Sequence, residues 1–325
     1  MIRTGFLVGG RTLWRGPAGR LGRILVLVAI AAYLLHSVDL AGTLERAGRA
    51  NPLIVAVAVL VLTAVHSVAA LNWQAIVGRL GGTPVTAAEA LRAYYASQAI
   101  GGITPANLGG DAYRVVTARS DGADWGDAAL SVLVQRATSF AALAVLGVVA
   151  LSALPDVIDV AAPLIGVAVA LALVLAVPVA ILVRRHGRFA DPARRGSFTA
   201  ATLVGLAGGL AFHAIAIAAS YALVIAVDPS ASGLGILAAV ALARLSLAVP
   251  IAPSGIGVQE GALAALFILL GASPESAVAA SLLGRLALIT TTAIGLTLIA
   301  RRPDRADAKT LLVPAAAGPE VRIAS

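Results

Sequence analysis

The chain has no cysteine among its 325 residues. Disulfides, thiolate nucleophiles and cysteine-held metals are therefore excluded. Its four histidines lie far apart, and no two have the i, i+4 spacing of a helical metal site. No cofactor motif stands out, and no cofactor is expected. Charge is also scarce: only 12% of residues are Asp, Glu, Lys or Arg, against about 25% in soluble domains. Apolar residues make up 59% of the chain, and several runs approach the roughly 20 residues that span a bilayer. The composition implies an all-α polytopic membrane protein. A net charge of +8 would point to nucleic acid in a soluble protein. Here topology accounts for it, and no nucleic-acid partner is expected.

Six spanning helices are expected, over about 22–38, 52–77, 127–153, 160–183, 199–227 and 275–300. Lys and Arg collect in cytoplasmic loops. Arg3, Arg11, Arg15, Arg20 and Arg23 place the N-terminus inside, Arg184, Arg185, Arg188, Arg194 and Arg195 place the central loop inside, and Arg301, Arg302, Arg305 and Lys309 place the tail inside. The loops at Asp156/Asp159 and Asp228 hold no Lys or Arg and face out. Residues 1–20 form a basic cytoplasmic N-terminus, 21–300 an integral membrane domain, and 301–325 a disordered cytoplasmic tail rich in Ala, Pro and charge. The first apolar helix is short and follows a basic segment, as in a signal peptide. It lacks a convincing small-x-small cleavage site, so an uncleaved helix is expected. The cytoplasmic membrane is the expected location.

Two apolar stretches, about 93–113 and 235–272, are interrupted by ITPANLGGDA and IAPSGIGVQEGA. The first has Arg79 and Arg92 before it and Arg114 and Arg119 after it, so it enters and leaves on the cytoplasmic side. The second lies between outer loops. Both read as re-entrant helical hairpins from opposite faces, with turns at Pro105, Gly109 and Gly110 and at Pro253, Gly255 and Gly257. Such irregular backbone is tolerated at membrane depth only where protein buries it or water reaches it. Kinked spanning helices are the alternative, and they would spoil the distribution of positive charge.

The two segments share I-x-P-x-x-x-G, and an acid follows each, Asp111 and Glu260. Arg136 lies 25 residues after Asp111 and Arg285 lies 25 after Glu260. His66 and His213 precede the prolines at matching distances. The offset between halves drifts only from 147 to 149. The halves, about 21–153 and 160–300, each hold three spanning helices and one hairpin, so the second is inserted upside down. Inverted repeats with broken segments at matching positions point to a transport site near the midplane.

Of 24 basic residues, 19 fall in cytoplasmic segments and two, Arg46 and Arg49, in the first outer loop. The others, Arg136, Arg244 and Arg285, lie within the membrane, where a central arginine costs roughly 2.5–3.5 kcal/mol. They are expected to face a polar interior and bind an anion with their planar donor forks. The alternative is that Arg136 merely pairs with Asp111 and Arg285 with Glu260. Asp111 and Glu260 are also candidates for carrying a coupling proton or capping helices. His66 and His213 are candidates for a proton relay or for interhelical hydrogen bonds. Asn72, Gln98 and Gln135 are candidate cavity-lining residues. Trp73, Tyr94 and Tyr95 read as interfacial anchors, and Arg114 as a contact for headgroups at the cytoplasmic mouth.

The runs YYASQAIGGITPANLGGDAYRVVTARSDG and VPIAPSGIGVQEGALAALFILLGASPESAVAASLLGRL, with Arg136 between them, resemble the membrane domain of the lysylphosphatidylglycerol synthase/flippase family. The residues that carry the likeness are Pro105, Gly109, Gly110, Asp111, Arg114 and Arg136, then Pro253, Gly255, Gly257, Glu260, Gly261 and Arg285. It covers about 20 to 300. The resemblance implies a membrane domain that moves a lipid, standing here without the soluble synthase domain, and so a flippase-like translocase, not an enzyme. The implied substrate is an anionic, aminoacylated or polyprenyl-linked lipid held at Arg136, Arg285, Arg244 and Arg114 with Asp111 and Glu260. The alternative is a membrane-embedded transferase, for which Asp39 and Glu45 are the candidate acids, or an accessory subunit of lipid-linked glycan or aminoacyl-lipid assembly. Partner classes are the membrane lipid, a separately encoded synthase or glycosyltransferase, and a second copy of the chain.

Overall fold

The computed structural model describes residues 32, 36, 38–80, 85–102, 104, 107–120, 123–154, 158–185, 192–246 and 257–301. Among them no strand forms. Ten helices follow in order: α1 (Leu40–Arg49), α2 (Pro52–Arg79), α3 (Ala87–Gly102), α4 (Leu108–Ser120), α5 (Trp125–Ser152), α6 (Ile158–Arg185), α7 (Pro192–Val227), α8 (Leu234–Leu245), α9 (Val258–Leu269) and α10 (Pro274–Ala300). Most of the expected first spanning helix, with Pro105, Pro253 and Gly255, lies outside the described residues.

Four helical segments, Pro52–Arg79, Trp125–Ser152, Ser197–Val227 and Pro274–Ala300, are long and apolar enough to cross a membrane, and Ile165–Val177 is a shorter apolar stretch of α6. Leu53, Leu60, Leu203 and Ile289 on these helices are exposed. Large aliphatic side chains pointing outward from apolar helices are suited to lipid, not water. The chain is a membrane protein. The ends of the long helices are set by short polar caps. Asn51 accepts from the backbone of Leu53 and Ile54 ahead of α2, Asp124 accepts from Gly126 ahead of α5, and Ser273 accepts from Ser276 ahead of α10. Each satisfies backbone donors that a helix start leaves without partners.

The two interrupted stretches become paired short helices. α3 packs on α4, and α8 on α9. Each pair sits at a different end of the long helices. The α3/α4 pair shares a core cluster with Trp73 and Val77 late in α2 and with Ala128 and Val132 early in α5. The α8/α9 pair shares its cluster with Ala58 early in α2 and with Leu143, Ala144 and Ala150 late in α5. α3, α4 and α5 start at Ala87, Leu108 and Trp125, while α8, α9 and α10 start at Leu234, Val258 and Pro274, an offset of 147 to 150 throughout.

The α3/α4 turn is tight. A methyl group at Gly110 would lie 2.3 Å from the Ser97 carbonyl oxygen, so only glycine lets the limbs meet there. Ahead of α9 the chain turns through Gly257 at φ +82°, a conformation that glycine adopts without strain.

The segment between the first two expected spanning helices holds a short helix, α1. Asp39 caps it, accepting from Ala41 and Gly42 backbone N–H groups. At this end of the molecule three segments meet. The Asn51 N–H donates to the Ala226 carbonyl at 2.9 Å. Arg46 donates to the Ser276 hydroxyl at 3.2 Å and lies 3.8 Å from Asp228, and the Ser276 hydroxyl donates to Asp228 at 2.9 Å. The Ser230 hydroxyl beside Asp228 is the main reason its carboxyl sits below the usual range; burial opposes it, and Ser276 and backbone N–H groups add to the lowering.

Candidate functional site

Arg136 and Arg285 occupy equivalent places. Each stands eleven residues past the first residue of its helix, Trp125 of α5 and Pro274 of α10, about 16 Å along the axis at 1.5 Å per residue. Each meets the acid in the first turn of the preceding short helix. Arg136 Nε pairs with Asp111 Oδ2. Arg285 donates from Nε to Glu260 Oε1 at 2.8 Å, and its terminal nitrogen lies 2.6 Å from the same oxygen. The other Glu260 oxygen accepts the Gly257 N–H at 2.8 Å. Glu260 thus satisfies the N–H of the residue just ahead of α9 and forms an ion pair at the same time.

The first cluster holds a second arginine. Arg114 donates to Asp111 Oδ1 at 2.6 Å and, from its other terminal nitrogen, to Gln135 Oε1. Gln135 in turn donates to the Ala69 carbonyl at 2.7 Å. The guanidinium carbon lies 5.0 Å from the Tyr94 ring centre and 5.8 Å from that of Trp73. Both rings are within cation–π range. Arg114 is buried, which corrects its expected place at the cytoplasmic mouth: the acid one helical turn back and the aromatic faces draw it inward.

The expected anchoring roles of two aromatics are also corrected. Trp73 is buried and donates its indole N–H to Ser131 Oγ at 3.1 Å. Tyr95 is buried and donates to the Thr63 carbonyl at 2.8 Å. Hydrogen-bonding partners inside the helix bundle hold both away from an interface.

The second cluster borders a cleft of about 170 Å³ lined by α2, α7, α8, α9 and α10. Its polar lining is Arg244, Arg285, His66, Ser220, Gln259 and Ser281. Arg244 is buried, donates to Ser220 Oγ at 3.3 Å, and has no carboxylate within ion-pair distance among the described residues. Its Nε and the Ser281 hydroxyl are buried without hydrogen-bond partners among the described residues. Such groups are costly when left unmatched, and together they form a surface suited to an anion.

His66 links the two clusters. It faces the cavity, its ring bonds the Leu62 carbonyl at 3.1 Å, and its centre lies 6.4 Å from that of Tyr94. His213 lies outside the cavity lining and bonds Ser139 of α5 at 3.0 Å through Nε2. Asn72 donates to the Gly205 carbonyl at 3.3 Å, joining α2 to α7. Asp39 and Glu45 are both occupied: Asp39 caps α1, and Glu45 pairs with Arg49 at 2.7 Å on the exposed face. Gly109 donates its N–H to the Thr104 hydroxyl at 3.0 Å within the α3/α4 turn.

Sequence reasoning missed Ser220, Gln259 and Ser281 as lining. Ser281 carries a weak signal, one helical turn before Arg285 on the same face; the others become neighbours only through packing. Among the described residues no cluster of His, Asp and Glu suits a metal ion. Residues 20–295 match the family described as lysylphosphatidylglycerol synthase TM region. No curated protein matches the chain.

Proposed function

We propose a function from one premise: the chain belongs to the lysylphosphatidylglycerol synthase transmembrane-region family. It is a membrane translocase for a lipid with a phosphate headgroup, and it does not catalyse group transfer. The observation that carries this reading is the cavity with a buried Arg244 beside the Arg285–Glu260 pair. An arginine lacking a counter-ion inside a membrane protein is expensive, and an anionic headgroup provides the missing charge.

The paired short helices are read as re-entrant hairpins from opposite faces of the cytoplasmic membrane, and the two halves as an inverted repeat, with both termini in the cytoplasm. The opposite placement of α3/α4 and α8/α9 along the long helices and the recurring helix starts support this. The headgroup binds at Arg244 and Arg285. The Asp111–Arg114–Arg136 cluster forms the corresponding half-site, linked through Tyr94 and His66. Rocking of the halves exposes the site to each face in turn, while the acyl or prenyl tails stay in the bilayer. A synthase or glycosyltransferase on a separate chain supplies or uses the lipid.

The test is lipid movement in proteoliposomes, with labelled anionic, aminoacylated and polyprenyl-phosphate lipids, for the wild type and Arg136→Gln. The expected result is movement of one lipid class that Arg136→Gln slows at least about tenfold. No movement of any lipid by folded protein would refute the translocase.

A further inference from the structure

The interior holds more positive than negative charge. Of the sixteen acidic residues only Asp111 and Glu260, each in the first turn of a short helix, pair with interior arginines among the described residues. Four arginines, at 114, 136, 244 and 285, face the interior with them. Each acid is already engaged: Asp111 bridges two guanidiniums, and Glu260 holds Arg285 and the Gly257 N–H. Residues 247–256, between α8 and α9, contain no acid at all, so that segment brings Arg244 no counter-ion. The site therefore has donors to spare and no vacant carboxylate.

A headgroup bearing an ammonium needs an acceptor for it. In this cavity it would meet the Arg244 and Arg285 guanidiniums, while Glu260 stands outside the lining and is already engaged by Arg285, and like charges in a low-dielectric interior repel strongly. A bare phosphate meets the reverse situation, because it accepts from the Arg244 fork and from the Ser281 hydroxyl. The size fits as well. An apolar cavity of about 150 Å³ holds one benzene, and the 170 Å³ here suits a group of similar bulk, such as a phosphate.

We propose that the cavity between α8 and α10 takes the phosphate of a lipid whose headgroup carries no ammonium, and that it rejects aminoacylated lipids. This deepens the translocase reading and rests on it for the cavity being the lipid site. Selectivity comes from charge count: each half presents one more guanidinium than carboxylate.

The test is lipid retention by the full chain, measured by native mass spectrometry after equilibration with equal amounts of phosphatidylglycerol, a polyprenyl monophosphate and lysyl-phosphatidylglycerol. The phosphate lipids should be retained over the lysyl lipid by about tenfold or more, and Arg244→Gln should remove that preference. Arg244→Lys should keep part of it, since the charge survives without the fork. Ser281→Asp, which adds a carboxylate to the lining, should shift retention toward the lysyl lipid; this second variant keeps the test decisive if Arg244→Gln fails to fold. Equal or stronger retention of the lysyl lipid by the wild type would overturn the proposal. So would retention of inorganic phosphate with exclusion of all lipids, which would assign the cavity to a free anion. Selective, Arg244-dependent retention without any movement in vesicles would sustain the specificity and refute the translocase.

Discussion

Asp111→Asn removes the one carboxylate that serves both Arg114 and Arg136. The Arg114 side chain is 4% exposed and that of Arg136 21%, so the first loses its counter-ion with little water to replace it. Removing one partner of a buried ion pair costs about 3–5 kcal/mol. The lower end is appropriate because Arg136 is partly exposed and Gln135 still accepts from Arg114. A loss of about 3 kcal/mol is roughly two decades in the folded-to-unfolded ratio. The double variant Asp111→Asn/Arg136→Gln should be less destabilised than the sum of its singles, by about 1 kcal/mol or more, since the second change removes a stranded charge. Unfolding in mixed micelles followed by tryptophan fluorescence measures both quantities. A single variant within about 0.5 kcal/mol of the wild type, or a strictly additive cycle, would refute the ion-pair reasoning.

Gly295→Ala should cost about 1–3 kcal/mol, because the new methyl would lie 2.2 Å from the Tyr95 carbonyl oxygen where α10 crosses α3; the same unfolding titration checks it. Ser139→Ala should cost about 1 kcal/mol by removing the His213 partner, and it should leave lipid movement near wild type, since His213 lies outside the cavity lining. The Asp228 carboxyl is held below the usual range, so its contribution is complete above the unfolded value of about 3.9 and fades as pH falls through the lower, folded value. Melting temperature should therefore drop at low pH in the wild type and drop less steeply in Asp228→Asn; identical pH profiles would refute that assignment. The absence of native cysteine permits a topology test with single substitutions at the exposed ends of the short-helix pairs. Thr86→Cys and Ser120→Cys should both react from the inside, and Ser232→Cys and Leu269→Cys both from the outside; labelling of either pair from opposite sides would instead show kinked spanning helices.

The ion pairs were legible because rare residues in an apolar chain have few possible partners. An acid in the first turn of a short helix and an arginine 25 residues on are brought level when the short helix ends and the next long helix runs back beside it. Helix starts were legible for a similar reason: Asn51, Asp124 and Ser273 are polar caps set against apolar runs. The position of Arg114 was not, because an arginine near other arginines at a helix flank looks like a headgroup contact. What moves it inward is the combination of Asp111, Gln135, Tyr94 and Trp73, drawn from four helices. Trp73 and Tyr95 misled for the same reason, since their partners Ser131 and Thr63 are distant in sequence. The cavity was invisible for a further reason: Ser220, Gln259 and Ser281 have no distinctive spacing and converge only when five helices pack. α1 was not anticipated, because ten residues are too few to show a clear period.

The most direct measurement is lipid movement in proteoliposomes for two charge-matched double variants, Asp111→Asn/Arg136→Gln and Glu260→Gln/Arg285→Gln. Each removes one acid and one arginine from one half, so the net charge of neither half changes; Arg114, which also loses Asp111 in the first variant, keeps Gln135 and the Tyr94 and Trp73 rings. Transport through two equivalent half-sites requires both variants to lose movement together, by about tenfold or more, while both remain folded. Full activity in one variant and none in the other would contradict a site built from both halves, and would place the chemistry at a single face.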